Sequence, residues 1–290
     1  MRLDELPPEV LQFFVYSRML SFQDVVNLAC SSEALFEKLT GDSFALNHLR
    51  SLVPIGFCVK KGWTRAIQNA LKFNPSLSSV QGALFTASKL GNVEIVKLLL
   101  AWKGSDGKGI DLTTQRDHPF RFAIRKNRTE IVREFLKWRG PDNKQFNPTV
   151  RRNSALVEAA QSGKVEIVRL LLAWKGDDGN YVDPSIDENK PLISAVSNGH
   201  VETVRVLLAW QGTNGEYVDP THRRLFVLRM AARHGRAETL KLLLSWQGPN
   251  GQRITPTRFI VWEAERNGHS ETVEVLLAWR GPNEERITPN

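Results

Sequence analysis

The chain has 290 residues, of which 41% are hydrophobic, and its formal net charge at pH 7 is +8. It contains no apolar run of the roughly 18 residues that a membrane-spanning helix needs, and its two cysteines, Cys30 and Cys58, are too few for a disulfide framework or a metal site. The first residues carry acid and lead into Pro7-Pro8, which is not a secretory signal. The sequence therefore predicts an intracellular, cytoplasmic protein without a membrane segment.

The charge is unevenly distributed along the chain. Residues 1–43 hold seven acidic and three basic residues, a net charge of −4, so residues 44–290 carry +12. A basic body favours an acidic partner or nucleic acid. The alternative is that the charge serves solubility and covers exposed helix faces, and composition leaves this choice open.

Residues 1–80 are predicted to be helical but irregular. In residues 1–43 apolar residues recur at spacings of three and four, which indicates three short amphipathic helices. Their core is too small to be stable alone, so we expect this unit to lean on the segment that follows. Residues 44–80 look like a degenerate first repeat, with a helix and turn over 57–62 and a second helix over 66–71.

One unit is then written six times over residues 81–279. Its closing tryptophans are Trp102, Trp138, Trp174, Trp210, Trp246 and Trp279, with four intervals of 36 residues and a last one of 33. A fixed period of this size predicts a stack of identical supersecondary units. The first helix of each is expected to begin at Gly82, His118, Ser154, Lys190, Phe226 and Phe259. Nine residues later stand Gly91, Asn127, Gly163, Gly199, Gly235 and Gly268, types that tolerate a left-handed helix end.

The second helix of each unit carries one apolar stripe and an early glutamate. The stripe is clear at Val201, Val204, Leu207 and Leu208. The glutamates are Glu94, Glu130, Glu166, Glu202, Glu238 and Glu271, and in all but the last copy Lys or Arg follows three residues later. Such pairs stabilise helices by roughly 0.2–0.5 kcal/mol each. We interpret these glutamates as helix-stabilising rather than catalytic.

A glycine-rich connector follows each tryptophan and predicts a tight hairpin leading into an extended segment. It lacks the repeated acids of a calcium loop and the Lys and Ser/Thr of a phosphate loop. The six histidines have no partner at metal-ligand spacing, and no Ser or Cys stands in a nucleophile turn. We therefore expect no cofactor, no metal and no enzymatic activity.

The tryptophan series allows two interpretations. One tryptophan per repeat could form an aromatic ladder that stacks on a ligand or on nucleotide bases. Alternatively, each ring covers the end of the helical stripe and packs on the neighbouring repeat. Since each tryptophan directly follows the buried stripe, we favour the structural interpretation.

Residues 82–290 resemble ankyrin repeats. The segment 190–196, Lys-Pro-Leu-Ile-Ser-Ala-Val, stands where that family has Thr-Pro-Leu-His-x-Ala-Ala, and residues 198–208 match its Gly-His-x-Glu-Ile-Val-x-Leu-Leu-Leu. The resemblance implies an all-α ankyrin-repeat solenoid over 44–290, with 44–80 as a capping repeat, 81–279 as six repeats and 280–290 as the start of a further connector. The connector is about three residues longer than in the usual 33-residue unit, so we expect longer hairpin fingers.

Residues 1–43 resemble an F-box. Leu6-Pro7-x-Glu9-Val10-Leu11 fits the family's opening, and residues 24–28 fit its second segment, although the later tryptophan is absent. An F-box joined to ankyrin repeats resembles proteins of large DNA viruses that are thought to recruit substrates to the host ubiquitin ligase. The resemblance implies a ligase-docking surface formed by Leu6, Pro7, Val10, Leu11, Val25 and Leu28. The alternative is a helical cap on a scaffold that binds and masks its target.

The ankyrin resemblance also implies a target-binding surface on the concave side, at the finger tips and the exposed ends of the first helices. Transferred to this chain, that surface comprises Arg116, Arg125, Lys126, Arg151, Arg152, Asp187, Glu188, Arg223, Arg224 and Arg233. Paired arginines bind carboxylates well, so an acidic protein surface is the expected target of a monomeric scaffold. Nucleic acid is the less favoured partner.

Overall fold

The computed structural model describes residues 31–35, 55–72, 74–112, 118–140, 143–281 and 285–287. Within these residues the secondary structure is helical, with isolated bridges and no longer strands. The helices, numbered α1 to α14 in chain order, are Ile55–Lys61, Thr64–Lys72, Leu77–Leu90, Val93–Ala101, His118–Arg125, Thr129–Lys137, Val150–Gln161, Val165–Leu172, Ile186–Ser197, Val201–Leu208, His222–Arg233, Ala237–Leu244, Arg258–Arg266 and Ser270–Ala278. The predicted all-α fold of repeated helix pairs is confirmed.

The chain divides into two compact units. The first comprises Met1–Ala123 and Lys137–Phe146, and the second comprises Ile124–Leu136 and Asn147–Asn290. The proposed ligase-docking residues and Arg116 lie outside the described residues. The division into an F-box-like unit and a repeat domain therefore stays a prediction.

In the first unit α1 packs against α3, and α2 packs against α4. The apolar stripes meet in a core that includes Val59, Ile67 and Leu84, all of them fully buried. The expected start of a helix at Gly82 is wrong, because α3 begins at Leu77. Ser76, in an extended conformation, accepts a hydrogen bond from the backbone N–H of Ser79 and caps the helix there.

Residues 31–35 are attached to this first unit. Glu33 Oε1 accepts hydrogen bonds from the backbone N–H groups of Arg65 (2.9 Å) and Ala66 (3.4 Å) at the start of α2. A carboxylate is favourable there, because the helix N-terminus is positively polarised. The side chain of Leu35 is buried. As far as the structure describes the N-terminal segment, it leans on the repeats, as expected.

In the second unit the first helices α7, α9, α11 and α13 pack side by side, and so do the second helices α8, α10, α12 and α14. Each first helix also packs on the second helix of its own pair. The core forms where these stripes meet, as at Leu156, Leu192, Leu207 and Leu240, which are fully buried. Regular right-handed helix begins at Ser154 and Lys190, as predicted, after three left-handed residues in each case.

The turns between paired helices are left-handed, as predicted from their Gly or Asn. The φ angle is 64° at Gly163 and 55° at Asn127. At Gly163 a second constraint applies, since an added Cβ would lie 2.6 Å from the His200 ring. That ring lies there because His200 Nε2 is 2.9 Å from the carbonyl oxygen of Gln161 and bonds to it. Glycine is therefore required here both for its conformation and for its size.

The connectors form short hairpins, which confirms the predicted turn. Antiparallel bridges join Lys103 to Gly109, Arg139 to Gln145, Lys175 to Tyr181, Gln211 to Tyr217 and Gln247 to Arg253. The bridged residues are six apart in every hairpin, including the last, whose repeat is three residues shorter. The expected lengthening of the fingers is therefore wrong. The three additional residues lie after the hairpin, in the left-handed turn that precedes a first helix.

Candidate protein-binding site

The second helices use their charged residues for pairing within the helix. Each predicted pair is present: Lys97 with Glu94 at 3.0 Å, Arg133 with Glu130 at 3.3 Å, Arg169 with Glu166 at 3.7 Å, Arg205 with Glu202 at 3.4 Å and Lys241 with Glu238 at 2.6 Å. The pairs are exposed, so each adds little to stability. This arrangement supports a helix-stabilising role for the glutamates and neutralises five cations of the basic repeat body.

The tryptophan series packs inside the repeats. Trp102, Trp138 and Trp174 are 9% exposed or less. The indole N–H of Trp102 donates to the carbonyl oxygen of Leu71 at 3.2 Å, and the tip of the Trp174 ring lies 3.0 Å from where a Cβ on Gly176 would stand. The ring therefore closes the helical stripe against its own hairpin. The structural interpretation of the series is supported, because buried rings cannot serve as a ligand ladder.

Neighbouring hairpins are joined through their side chains. The Tyr181 hydroxyl donates to Glu216 Oε1 at 2.9 Å, and Asn214 donates to the same carboxylate from its backbone and its side chain, both at 2.9 Å. These bonds, those from Asn214 first, lower the pKa of Glu216 to about 2. The bond to the carboxylate also raises the pKa of Tyr181. The hairpins thus use much of their polar surface on one another.

Six of the predicted target-binding residues lie in left-handed turns rather than at finger tips. The hairpin tips are residues 177–179 and 213–215, whereas Arg151, Arg152, Asp187, Glu188, Arg223 and Arg224 come after the hairpins, within the first turns of α7, α9 and α11. The φ angles are 56° at Arg151 and 55° at Asp187. The placement at finger tips is therefore wrong, for the reason that the three additional residues of the 36-residue repeat form this turn.

Hydrogen bonds hold each left-handed turn in place. Asp183 Oδ1 accepts from the backbone N–H of Ser185 at 2.8 Å and from its hydroxyl at 2.6 Å, which bends the chain into the turn. At the end of the turn in the preceding repeat, Asn153 is buried and its side-chain N–H donates to the carbonyl oxygen of Asp183 at 2.8 Å. Asn189 bonds to Asp219 in the same way at 2.7 Å. Each turn is thereby tied to the next repeat.

The charges exposed on these turns pair with one another. Arg152 Nη1 lies 3.4 Å from Asp187 Oδ1, Lys190 Nζ lies 3.5 Å from Asp187 Oδ2, and Arg223 pairs with Glu188. The acidic turn thus takes up one arginine from the repeat on each side. An acidic target would have to compete with Asp187 and Glu188 for these arginines, so the turns are a weaker anion-binding surface than the sequence suggested.

The predicted residues at the first-helix ends are exposed on the second unit. Arg125 lies 2.5 Å from Glu158 Oε1 and is paired, and Lys126 is exposed beside it. Arg233 is exposed at the end of α11. Burial, followed by the charges of Arg236 and Arg233, lowers the pKa of the adjacent His234. The cationic character of this end of α11 at neutral pH therefore comes from its arginines.

An exposed aromatic cluster on α11 and α13 was missed by the sequence analysis. Phe259 and Trp262 are 48% and 44% exposed, and their rings stack with centroids 5.5 Å apart. Arg229 lies over Phe259 at 4.9 Å, and Arg266 lies over Trp262 at 5.1 Å. We call Arg229, Phe259, Trp262 and Arg266 the arginine–aromatic row. Its signal was present in the sequence, since 259, 262 and 266 share a helix face that is not the buried stripe.

Other kinds of site find no support in the part of the chain that the structure describes. No three His, Cys, Asp or Glu side chains cluster there in a way that could hold a metal ion. None of the described helices has the length and apolar character needed to cross a membrane. The surface of the first helices is thus the candidate site that the geometry offers.

Comparison with known families agrees with this fold. Residues 120–222 match the family model for ankyrin repeats, in three copies. No curated protein matches the chain. Together with the helix pairs and hairpins, the match makes the fold an all-α ankyrin-repeat solenoid. Ankyrin repeats indicate a protein–protein interaction scaffold, a class that is generally not enzymatic.

Proposed function

We propose that this scaffold is a substrate-recruiting adaptor for an SCF-type ubiquitin ligase. In this proposal the first helices of the repeats hold a protein target, and residues 1–43 dock the linker subunit of the ligase. The protein acts as a monomer in the cytoplasm, which is the host cytoplasm if the protein is viral.

The observation that carries target binding is the contrast between the two kinds of helix. Second helices repeat the same internal Glu–Lys or Glu–Arg pair, whereas first helices expose a different residue in each repeat at one position: Phe85, Arg121, Val157, Ile193, Arg229 and Trp262. Variable side chains on a rigid scaffold are where recognition usually takes place. This supports the first-helix face as the target-binding surface.

The ligase half of the proposal rests on the F-box resemblance of residues 1–43. The docking surface would be Leu6, Pro7, Val10, Leu11, Val25 and Leu28. The second candidate function is a scaffold that masks its target, with the N-terminal segment as a helical cap. The bonds from Glu33 to the start of α2 and the burial of Leu35 favour such a cap, and they are compatible with ligase docking as well.

The test compares the full chain with its Leu11→Asp, Val25→Asp variant for binding to the purified linker subunit. We expect the parent to bind and the variant to lose binding by at least about 30-fold, as for loss of apolar anchors at an interface. Equal melting temperatures would show that the variant is folded. A matched control, Phe259→Ala, Trp262→Ala, should bind the linker like the parent. Linker binding that survives the double aspartate substitution, or that is absent from the parent, would favour the masking scaffold.

Nucleic-acid binding is the third and least supported function. The pairs of the second helices, together with Arg125–Glu158, Arg152–Asp187 and Arg223–Glu188, occupy many of the cations of the basic repeat body. Binding through phosphates would weaken steeply with salt, because neutralised phosphates release counterions. A specific complex with such a salt dependence would contradict the protein-scaffold proposal.

A further inference from the structure

The arginine–aromatic row combines features that are normally buried or paired. Two large rings, Phe259 and Trp262, are close to half exposed while they stack on each other. Aromatic side chains and arginine are the types most enriched at the energetic centres of protein interfaces. An exposed stack of rings on the face proposed to bind the target is therefore the strongest candidate for its anchor point.

The two arginines of the row differ in what their guanidinium groups can still bind. Arg229 Nη2 lies 3.0 Å from Glu263 Oε1, so its charge is balanced. Within the described residues, Arg266 has no carboxylate partner, and neither does Arg233. Arg233 stands at the position of Arg266 one repeat earlier, on α11, which packs against α13. Neighbouring helices thus present two unpaired cations beside the exposed rings.

Stacking on an aromatic ring prepares arginine for binding a carboxylate. The ring contacts the face of the guanidinium group, while the N–H groups lie in its plane and remain directed away from the ring. Arg266, over Trp262 at 5.1 Å, is held in this way. Less side-chain freedom is then lost when a carboxylate binds to it.

Resting on the proposed scaffold function, we propose that the row binds an acidic peptide segment that carries a large apolar side chain. The apolar side chain packs against the exposed edges of Phe259 and Trp262. Carboxylates on either side of it bind Arg266 and Arg233. The segment belongs to the protein target, and the row is the part of the scaffold that selects it.

The geometry favours a peptide over a nucleic acid. Base stacking requires an open ring face, whereas Phe259 and Trp262 already stack on each other and each lies beneath a guanidinium group. A base would have to displace one of these neighbours. An apolar side chain needs only the exposed edges of the rings, and a carboxylate needs only the N–H edge of the guanidinium group.

The experiment selects binders to the full chain from a displayed library of twelve-residue peptides and measures the affinity of the selected peptides. We expect them to contain Asp or Glu near Trp, Phe or Leu. Phe259→Ala, Trp262→Ala should weaken their binding by about 30-fold or more, as for interface hot spots. The matched control is Phe85→Ala, an exposed phenylalanine at the same position of a first helix in the other unit, which should change affinity by less than about threefold.

A charge exchange tests the role of the arginine. Arg266→Glu should weaken the acidic peptides by about tenfold or more, and replacing their acid by lysine should restore binding to that variant. A merely structural role of Arg266 would give no such rescue. Melting temperatures are measured for every variant, so that a loss of folding is recognised.

The outcomes separate this proposal from the scaffold function. Selected peptides that bind the parent and the double alanine variant equally would overturn the row as the site and leave the scaffold standing. Peptides without acidic residues would overturn the assigned chemistry. If a twelve-nucleotide single strand of DNA bound tightly and lost binding in the same variant, the row would be a nucleic-acid site. Failure to select any peptide would contradict both the row and the scaffold function.

Discussion

At the scale of single residues, the repeats depend on a few positions where conformation and contact coincide. Gly163 and Gly235 combine a left-handed φ of 64° with a histidine ring, His200 or His269, in the space that a Cβ would need. Each ring nitrogen bonds to a carbonyl oxygen of the preceding helix end, Gln161 or Arg233. The same glycine therefore shapes its own turn and admits the side chain that ties the next repeat to it.

We expect Gly163→Ala to destabilise the protein more than Gly179→Ala. Both positions have left-handed φ, which costs an L-residue about 1–2 kcal/mol, but the Cβ of Gly179 would meet nothing within 4 Å. Only at Gly163 must the His200 ring move and give up its bond, which adds about 1 kcal/mol or more. Urea unfolding of both variants provides the comparison. Equal losses would mean that the ring adapts without cost.

The hairpin carboxylate predicts a dependence of stability on pH. The pKa of Glu216 is lowered from 4.5 to about 2 by hydrogen bonds from Asn214, from backbone N–H groups and from Tyr181. A folded-state pKa below the unfolded one means that its stabilising contribution is present above pH 4.5 and is lost as the pH falls towards 2.

We therefore expect Glu216→Gln to melt at a lower temperature than the parent at pH 7, with the difference shrinking as the pH is lowered to 3 and below. Tyr181→Phe, which removes one donor at 2.9 Å from the carboxylate, should show a smaller effect of the same sign. A difference between parent and Glu216→Gln that stays constant from pH 7 to pH 2.5 would show that the charge of Glu216 is not what stabilises the hairpin.

At the scale of the element, one helix type builds the stack and the other carries the variation. The tryptophan after each second helix joins the apolar stripe to the hairpin, and the left-handed turn before the first helix takes up the additional residues. The last interval of 33 residues, between Trp246 and Trp279, has no such turn, and α13 begins directly after Thr257 in an extended conformation. Repeat length is thus adjusted at one place, where it does not disturb the packed helices.

Two tryptophans with opposite environments test this division of roles. Trp174 is 7% exposed, so Trp174→Ala should cost about 3–5 kcal/mol of stability, as removal of a buried large side chain does. Trp262 is 44% exposed, so Trp262→Ala should cost about 1 kcal/mol or less. Thermal and urea unfolding of the two variants give the comparison. A large loss for Trp262→Ala would assign the arginine–aromatic row to stability instead of binding.

The element scale also shows where sequence reasoning succeeded. The Glu–Lys and Glu–Arg pairs, the left-handed turns at Gly and Asn and the hairpins all follow from contacts within about ten residues, and each was predicted. The start of α3 at Leu77 was missed because the repeat pattern placed it at Gly82, whereas the local cap at Ser76 determines where the helix begins. A local hydrogen bond here overrides the register of the repeats.

At the scale of the whole molecule, charge and exposed apolar surface indicate a monomer. The exposed large apolar residues of the described second unit, Val150, Ile186, Phe259, Trp262 and Leu277, belong to different helices. A stable interface buries about 1,200–2,000 Å², and these residues do not form a continuous apolar face. The excess positive charge of residues 44–290 also opposes self-association.

We therefore expect light scattering to give a single species of 32.8 kDa, the mass of one chain, at micromolar concentrations and at physiological salt. Phe259→Ala, Trp262→Ala should leave this mass unchanged. A dimer that dissociates in that double variant would show that the arginine–aromatic row binds a second copy of the chain and not an acidic segment of a target.

By itself the sequence determined the repeat period, the order of helix, turn, helix and hairpin, and the buried stripe, because all of these depend on neighbours close along the chain. Only the tertiary structure decided which charges are balanced and which rings are exposed. Arg152 meets Asp187, Arg223 meets Glu188, and Arg229 meets Glu263 across repeats more than 30 residues apart, and no local pattern specifies those distances. The stacking of Phe259 and Trp262 between Arg229 and Arg266 arises in the same way, from packing α11 against α13.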